Sequence, residues 1–589
     1  MCHLENFSKK LLKCGQLKTF WKVRKLVHKV KIKNLVNFCT NLYNSSMSLN
    51  ILLCTIAGVP KILSDFVPDN GLAVLASSLI EEGHNVKILD FNHPSIFPEI
   101  FTDEVRNFLD KFSEKIFLKK EKPSFFDILK LKKANKIIEK NKKKFLSNLK
   151  EKMLDIVEKE KISMVGFKLW AGDGFKWTLE TGKFLKKKKP EIKIFGGGPQ
   201  VDIFEHTIYK VADFFDGLCY GEGEETIKFL AEYVRGKIAM EEIPNVIFKK
   251  NDKIVKTKRK YIENLDELPI ANYDPEIYEG IEGKIKMIVL DESRGCPNSC
   301  YFCIHPIKSG KRRKKSAKRI IKEIKKYNEK YKIVIFRYAG SNTPAKLMME
   351  VAKELVNQNI KIKYTSFAHV KEFETDFHLL KRSGCEALFF GVESANEEIL
   401  RKGMNKNINK EEMERVLKSS KEAGIFTVIS LIYPAPFETE KTRKETIEFV
   451  KKTKPDSVLV QFPGIYPGTM WFNSPERFNF TLDKEKYPEQ VMTYTIKSLF
   501  PPRFWDPLPY KINGLSFKEF ATETENFQKD IQKEGIETNI SDEAYLFYKF
   551  SPFSSLDEFL DKNRYYFYSG NYEKLVEEVN YINSKGKEE

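Results

Sequence analysis

The chain has 589 residues, 41% of them hydrophobic and 13% aromatic, and a formal net charge of +19. Single cores stop growing near ~250–300 residues, so several domains are expected, and the apolar content suffices for globular cores. No run approaches the ~20 uninterrupted apolar residues of a membrane span, and nine unevenly spaced cysteines argue against a disulfide framework.

The positive balance is compatible with nucleic acid, lipid headgroups or an acidic substrate. The lysine runs 142–144 and 186–189 fall in helical patterns rather than in one basic tract, so a solvated lysine-rich surface is the simpler reading and nucleic acid is not expected. Residues 1–46 are lysine-rich and weakly patterned, and they end at Asn44-Ser45-Ser46 before Met47. They read as a basic extension or as an early start. They lack the apolar core and cleavage site of a secretory signal. A basic amphipathic helix is the weaker reading, which leaves peripheral membrane contact open.

From residue 50 the pattern alternates strand and helix. Strands are expected at 51–56, 86–89, 163–167, 192–195 and 217–220, with a helix at 71–82 announced by Pro68-Asp69-Asn70. Such alternation predicts a doubly wound parallel sheet with ligand sites at the carboxyl ends of its strands. Those ends carry glycines: Gly71, then Gly196-Gly197-Gly198-Pro199, then Gly221-Glu222-Gly223-Glu224. Glycine lets backbone approach a ligand closely. None of these runs reads GxGxxG, so a dinucleotide site is a poor match. The interval 100–160 is expected to be a helical insertion, and 261–284 a connecting segment.

A different signal begins at the expected strand 287–290. Cys296, Cys300 and Cys303 follow it at CxxxCxxC spacing, with Phe302 before the last. A structural zinc site normally closes with four ligands. Three thiolates on one loop can hold three irons of a 4Fe–4S cluster and leave the fourth open for chemistry. Further strands are expected at 333–336, 362–367, 427–432 and 457–462, and Gly391-Val392-Glu393-Ser394 lies at the end of another. Six βα units predict a partial (β/α)6 barrel over 285–485, with its site at the carboxyl ends of the strands. His369 has two open readings, substrate-facing or structural. The rest, 486–589, is helical and aromatic.

The cysteine run and Gly391-Val392-Glu393-Ser394 resemble the radical S-adenosylmethionine superfamily. The glycine runs over 50–250 resemble the cobalamin-binding domain that precedes many such cores. That resemblance implies a 4Fe–4S cluster on Cys296, Cys300 and Cys303, with S-adenosylmethionine on its open iron. Phe302, Gly340, Ser341, Glu393 and Ser394 would then contact S-adenosylmethionine. A cobalamin would lie against Gly71, Leu169, Trp170, Gly197, Gly198, Pro199, Gly221, Glu222, Gly223 and Glu224. The chain departs from the family pattern three times: 57–66 holds no histidine to ligate cobalt from below, Ala339-Gly340-Ser341-Asn342 replaces the usual Gly-Gly-Glu, and Tyr433-Pro434-Ala435-Pro436 stands where relatives read Gly-Leu-Pro-Gly.

The implied activity is methylation of an unactivated carbon through a 5′-deoxyadenosyl radical. A flavodoxin- or ferredoxin-type donor supplies electrons, the substrate is a small molecule or lipid, and the reduced cysteines and oxygen-sensitive cluster place the protein in the cytoplasm. Cyclisation or oxidative rearrangement without methyl transfer is the alternative within the family. A tRNA methylthiotransferase would want further cluster cysteines, which Cys54 and Cys219 do not supply. A cobalamin or iron–sulfur sensor would have no use for Glu393 and Ser394.

Overall fold

The computed structural model describes residues 48–586, apart from 374 and 498–499. The extension expected over 1–46 lies outside the described residues. Two large sheets organise the molecule. The first has eight strands: β1 (Asn50–Thr55), β2 (Asn85–Asp90), β3 (Met164–Lys168), β4 (Lys193–Gly197), β5 (Gly217–Cys219), β6 (Val246–Lys250), β7 (Lys253–Lys256) and β8 (Tyr278–Glu279). Their spatial order is β7-β6-β5-β4-β3-β1-β2-β8. β1 pairs in parallel with both β2 and β3, so the winding reverses there. Helices cover both faces of this sheet, which is why β1 reads as an unbroken apolar run. Ile51 and Leu53 enter one core, while Leu52 and Cys54 enter the other.

Helix α1 (Asn70–Glu81) follows β1, and the Asp69 carboxylate caps it by accepting from the Leu72 amide. The insertion is dominated by α2 (Phe125–Lys159), which packs on α3 (Asp173–Lys188). After β5 comes α4 (Glu224–Val234).

The second sheet is wholly parallel and opens after β9 (Met287–Leu290). A small ribbon of β10 (Ser293–Arg294) and β11 (Arg313–Lys314) follows, then β12 (Ile335–Tyr338), β13 (Lys363–Ala368), β14 (Cys385–Glu393), β15 (Phe426–Ile432) and β16 (Ser457–Gln461). The order β9-β12-β13-β14-β15-β16 follows the chain, as in a (β/α)6 half barrel.

One expectation needs correction. Segment 261–284 is not a bare connection, because β8 extends the first sheet beside β2. There the Tyr278 hydroxyl donates to Asp90, and the fully buried Lys284 ammonium pairs with the same carboxylate at 2.8 Å. The C-terminal region is helical, as expected, and packs into the cores that also hold the two sheets. Its helices α5 (Asp542–Lys549), α6 (Leu556–Ser569) and α7 (Tyr572–Lys585) bury Phe547, Phe567 and Ile582 in the core that also holds Leu52 and Met287. Asp542 reaches into the half barrel, accepting from Thr365 at 2.6 Å, and Glu543 holds Arg337 at 2.5 Å.

Candidate active site

The cysteine loop is bracketed by the β10–β11 ribbon. Its entry requires glycine: Gly295 has φ +78°, and a Cβ there would lie 2.3 Å from the Lys311 carbonyl. The loop is tied down by Cys296 donating to the Gly310 carbonyl and Tyr301 to that of Met404, while Asn405 donates from its side chain to Ser299. Phe302 packs on the buried Trp471, ring centroids 5.4 Å apart. Burial pushes the Cys303 thiol up to about 12. Burial also raises Cys300, with the Lys406 ammonium pulling the other way. Metal coordination would replace these protons, and the nearby cation favours the thiolates.

Among the described residues, no three His, Cys, Asp or Glu side chains converge as around a single ion. A cluster places each thiolate on a different iron, so its sulfurs stand farther apart than ligands of one ion. Three partly shielded thiols on one anchored loop beside a buried lysine can each take a different iron of a cluster.

Glu393 ends β14 with φ +67°, next to a register shift against β15. Such an irregularity re-aims a side chain. One carboxylate oxygen accepts from Lys406 Nζ at 2.8 Å and the other from Ser430 Oγ at 2.9 Å. Gly391 is required there, since a Cβ would meet Glu393 Oε1 at 2.6 Å. Ser394 is buried, and its hydroxyl accepts from the Asn396 amide, so it caps the following turn.

The loop 339–342 carries no acid, but the turn after β9 supplies one beneath it. The buried Glu292 accepts from the amides of Ala339 and Gly340 and from the hydroxyls of Ser293 and Thr343. Burial still raises its carboxyl. Ser341 Oγ lies 2.9 Å from His305 Nδ1, and burial lowers His305 to about 4. His369 is also lowered to about 4, first by burial and then by Lys406, and its Nδ1 accepts from the Lys371 amide.

A cavity of about 350 Å³ joins the two sheets. It sits at the carboxyl ends of the first sheet's strands, at the point where the winding reverses. Gly71, Gly197, Gly198, Gly221 and Gly223 line one side. Asp291, Arg294, His305, Lys308 and Ser341, around the cysteine loop, line the other.

Glu222 and Glu224 also line the cavity, but each is engaged by an arginine. Glu222 holds Arg313 at 2.6 and 2.9 Å. Glu224 holds Arg294 at 2.5 Å, and Arg294 also reaches Asp291 at 2.6 Å. These pairs clasp the first sheet to the ribbon around the cysteine loop. Three expected contacts are not at the cavity. Leu169 is fully buried on the opposite face of the sheet. Trp170 donates to Thr55 Oγ1, and Pro199 starts the next helix. Conversely, Lys168, Asp202 and Cys219 line the cavity without having been singled out for it. Lys168 pairs with Asp69 at 2.6 Å.

Residues 293–450 match the family model of the Radical SAM superfamily. This stretch is a radical SAM domain. Such a domain implies a 4Fe–4S cluster and S-adenosylmethionine. An uncharacterized methyltransferase of Pyrococcus horikoshii is 29% identical over 297 residues, covering 49% of this chain and 64% of that protein. An anaerobic magnesium-protoporphyrin IX monomethyl ester cyclase of Synechocystis sp. is 24% identical over 332 residues, covering 53% of this chain and 64% of that protein. The chain thus matches under two thirds of the length of these curated relatives. Among solved structures, the radical S-adenosylmethionine methyltransferase TsrM of Kitasatospora setae was determined with cobalamin and a 4Fe–4S cluster bound. It aligns with a TM-score of 0.59 at 13% identity, covering 91% of this chain and 99% of that one. At that identity the likeness carries the fold: an open α/β sheet, a radical SAM half barrel and a helical C-terminal region.

Proposed function

We propose that this protein is a cobalamin-dependent radical S-adenosylmethionine methyltransferase acting on an unactivated carbon of a small molecule or lipid. One observation carries the reading: a single cavity is walled by the glycine rim of the first sheet and by the residues around the cysteine loop. Two cofactors that cooperate need such a shared space.

In this reading residues 47–260 form the corrin half and 285–485 the radical half. Cys296, Cys300 and Cys303 hold the cluster. Glu393 faces the cluster-bound S-adenosylmethionine, held in position by Lys406 and Ser430. The glycine rim admits a flat macrocycle because no Cβ stands in its way, and the Glu222–Arg313 and Glu224–Arg294 pairs fix the distance between the halves. When bound, the cluster supplies the electron that cleaves S-adenosylmethionine and the corrin carries the methyl group. An external flavodoxin- or ferredoxin-type donor and a cytoplasmic setting belong to the same proposal. No helix among the described residues is long and apolar enough to cross a membrane.

The test is anaerobic reconstitution with iron, sulfide and cobalamin, reading bound corrin and cluster by visible absorption in wild type and in Cys296→Ala. One corrin per chain, with a cluster that only the variant loses, is the expected result. A cluster without corrin would overturn the methyltransferase assignment and leave hydrogen-abstraction chemistry alone.

A further inference from the structure

A second, larger cavity lies away from the cysteine loop and the glycine rim. It is a groove of about 860 Å³ between the β1–α1 loop, helices α2 and α3, and the C-terminal helices α5 and α6. Its volume falls within the range of small-molecule sites. The lining includes Phe101, Leu146, Trp177, Phe547, Phe559 and Phe567, all buried. Ile62 and Ile496 also line it, and both are large hydrophobics left about half exposed, at 56% and 50%. This is more apolar surface than a hydrated cleft needs.

The charges are one-sided. Every acid that lines the groove is already paired: Glu139 and Asp173 with Lys142 at 2.8 and 2.9 Å, and Glu180 with Lys150 at 3.5 Å. Lys497 pairs with Asp506, and Arg564 with Asp561. Lys61, Lys143 and Lys176 line the same groove, and no ion pair is made by any of them among the described residues.

An apolar slot with unpaired cations at its rim fits one ligand chemistry. We propose that the groove binds a soluble amphiphilic anion, a single apolar chain ending in a phosphate or carboxylate. Burial of the chain drives binding, and the lysines discriminate for the anionic head. The groove also has a physical link to the half barrel. Ser64 on its wall donates to Glu543 at 2.6 Å, and Glu543 holds Arg337, which stacks 4.6 Å over Phe367. The inference does not rest on the proposed chemistry, because none of the cluster cysteines or rim glycines lines this groove.

The test is calorimetric titration of the full chain with dodecyl phosphate, dodecanoate and neutral dodecanol, each below its aggregation concentration. Saturable one-to-one binding of at least one anion is expected, with dodecanol at least ~10-fold weaker. The preferred anion tells a phosphorylated chain from a fatty acid. Lys143→Glu combined with Lys176→Glu changes two exposed side chains and should weaken binding ~10-fold or more at unchanged circular dichroism. Ala544→Trp should block the groove. The proposal is overturned if neither anion saturates, if dodecanol binds equally well, or if the lysine double variant binds as wild type does. Binding seen only with vesicles of anionic phospholipid also overturns it, since that is surface adsorption.

Discussion

The two rims that face the central cavity are built on opposite plans. The rim of the first sheet is mostly absence: Gly71, Gly197, Gly198, Gly221 and Gly223 offer backbone and space. The rim of the half barrel is crowded with side chains that hold one another, as Glu292 holds the 339–343 turn and Lys406 holds Glu393. An open rim suits a large flat ligand that arrives with its own chemistry. A clamped rim suits a small charged ligand whose reacting atoms must be fixed closely. The clasp of Glu222 and Glu224 on Arg313 and Arg294 joins the two plans with side chains from both.

The largest effects should separate the rims. Cys303→Ala should abolish the cluster's absorption and all cleavage of S-adenosylmethionine while corrin still binds. Gly197→Leu should do the reverse. A Cβ at Gly197 meets only Cys219 atoms, at 3.5 and 3.7 Å, so the chain folds while the added side chain occupies the cavity. If either variant removes both cofactors, the rims are one cooperative unit and the contrast fails.

Next in size is the clamp itself. Lys406 is buried and pairs with Glu393: burial works against its charge, but the Glu393 carboxylate and then Cys300 outweigh it and hold the ammonium above the usual lysine range. Lys406→Met leaves the carboxylate unpaired, and breaking one side of a buried pair costs ~3–5 kcal/mol. A urea midpoint lowered accordingly, largely restored by adding Glu393→Gln, is expected. Activity should stay lost in the double variant.

A glycine pair sharpens the comparison further. At Gly340 a Cβ would lie 2.1 Å from Glu292 Oε1, so Gly340→Ala should cost ~2–3 kcal/mol by overpacking. At Gly221 nothing lies within 4 Å and φ is +74°, so Gly221→Ala should cost only the ~1 kcal/mol of a left-handed alanine. Thermal unfolding of the two reads the difference directly. Equal losses would mean that the open rim is as tightly constrained as the clamped one.

Much of this contrast was legible in the sequence because glycine runs and cysteine spacing are local signals. The parallel strands were legible too, since β1 and β14 are apolar runs covered on both faces. β6 and β7 were not: their lysines mask the pattern, although Asn251 and Asp252, both at positive φ, mark the two-residue turn between them. The misplacement of Leu169 was avoidable. Side chains alternate along a strand, so Leu169 shares the face of Val165, whereas Met164, Gly166 and Lys168, of the other parity, line the cavity. The roles of Glu222 and Glu224 were not readable, because their arginine partners lie 91 and 70 residues away. Likewise the aromatic, helical composition of 486–589 did not name the core into which α5 to α7 pack.

The last predicted effect concerns pH at the clamped rim. An imidazole ordinarily titrates near ~6.5. In the fold, His369 is lowered to about 4 by burial and then by Lys406, with Arg312 and Lys371 adding to the repulsion and Glu372 opposing it. Between those values the unfolded chain binds a proton that the folded chain refuses. The contribution of His369 is therefore complete above pH ~6.5 and is lost as pH falls toward 4. Its Nδ1 accepts from the Lys371 amide, a bond that the protonated ring cannot make. His369→Gln removes the titration, so wild type should lose ~2 kcal/mol more stability than the variant between pH 7 and pH 4.5. Parallel urea curves at the two pH values measure it. An unchanged difference would mean that His369 is solvated and that the clamp is looser than the half barrel's hydrogen bonds imply.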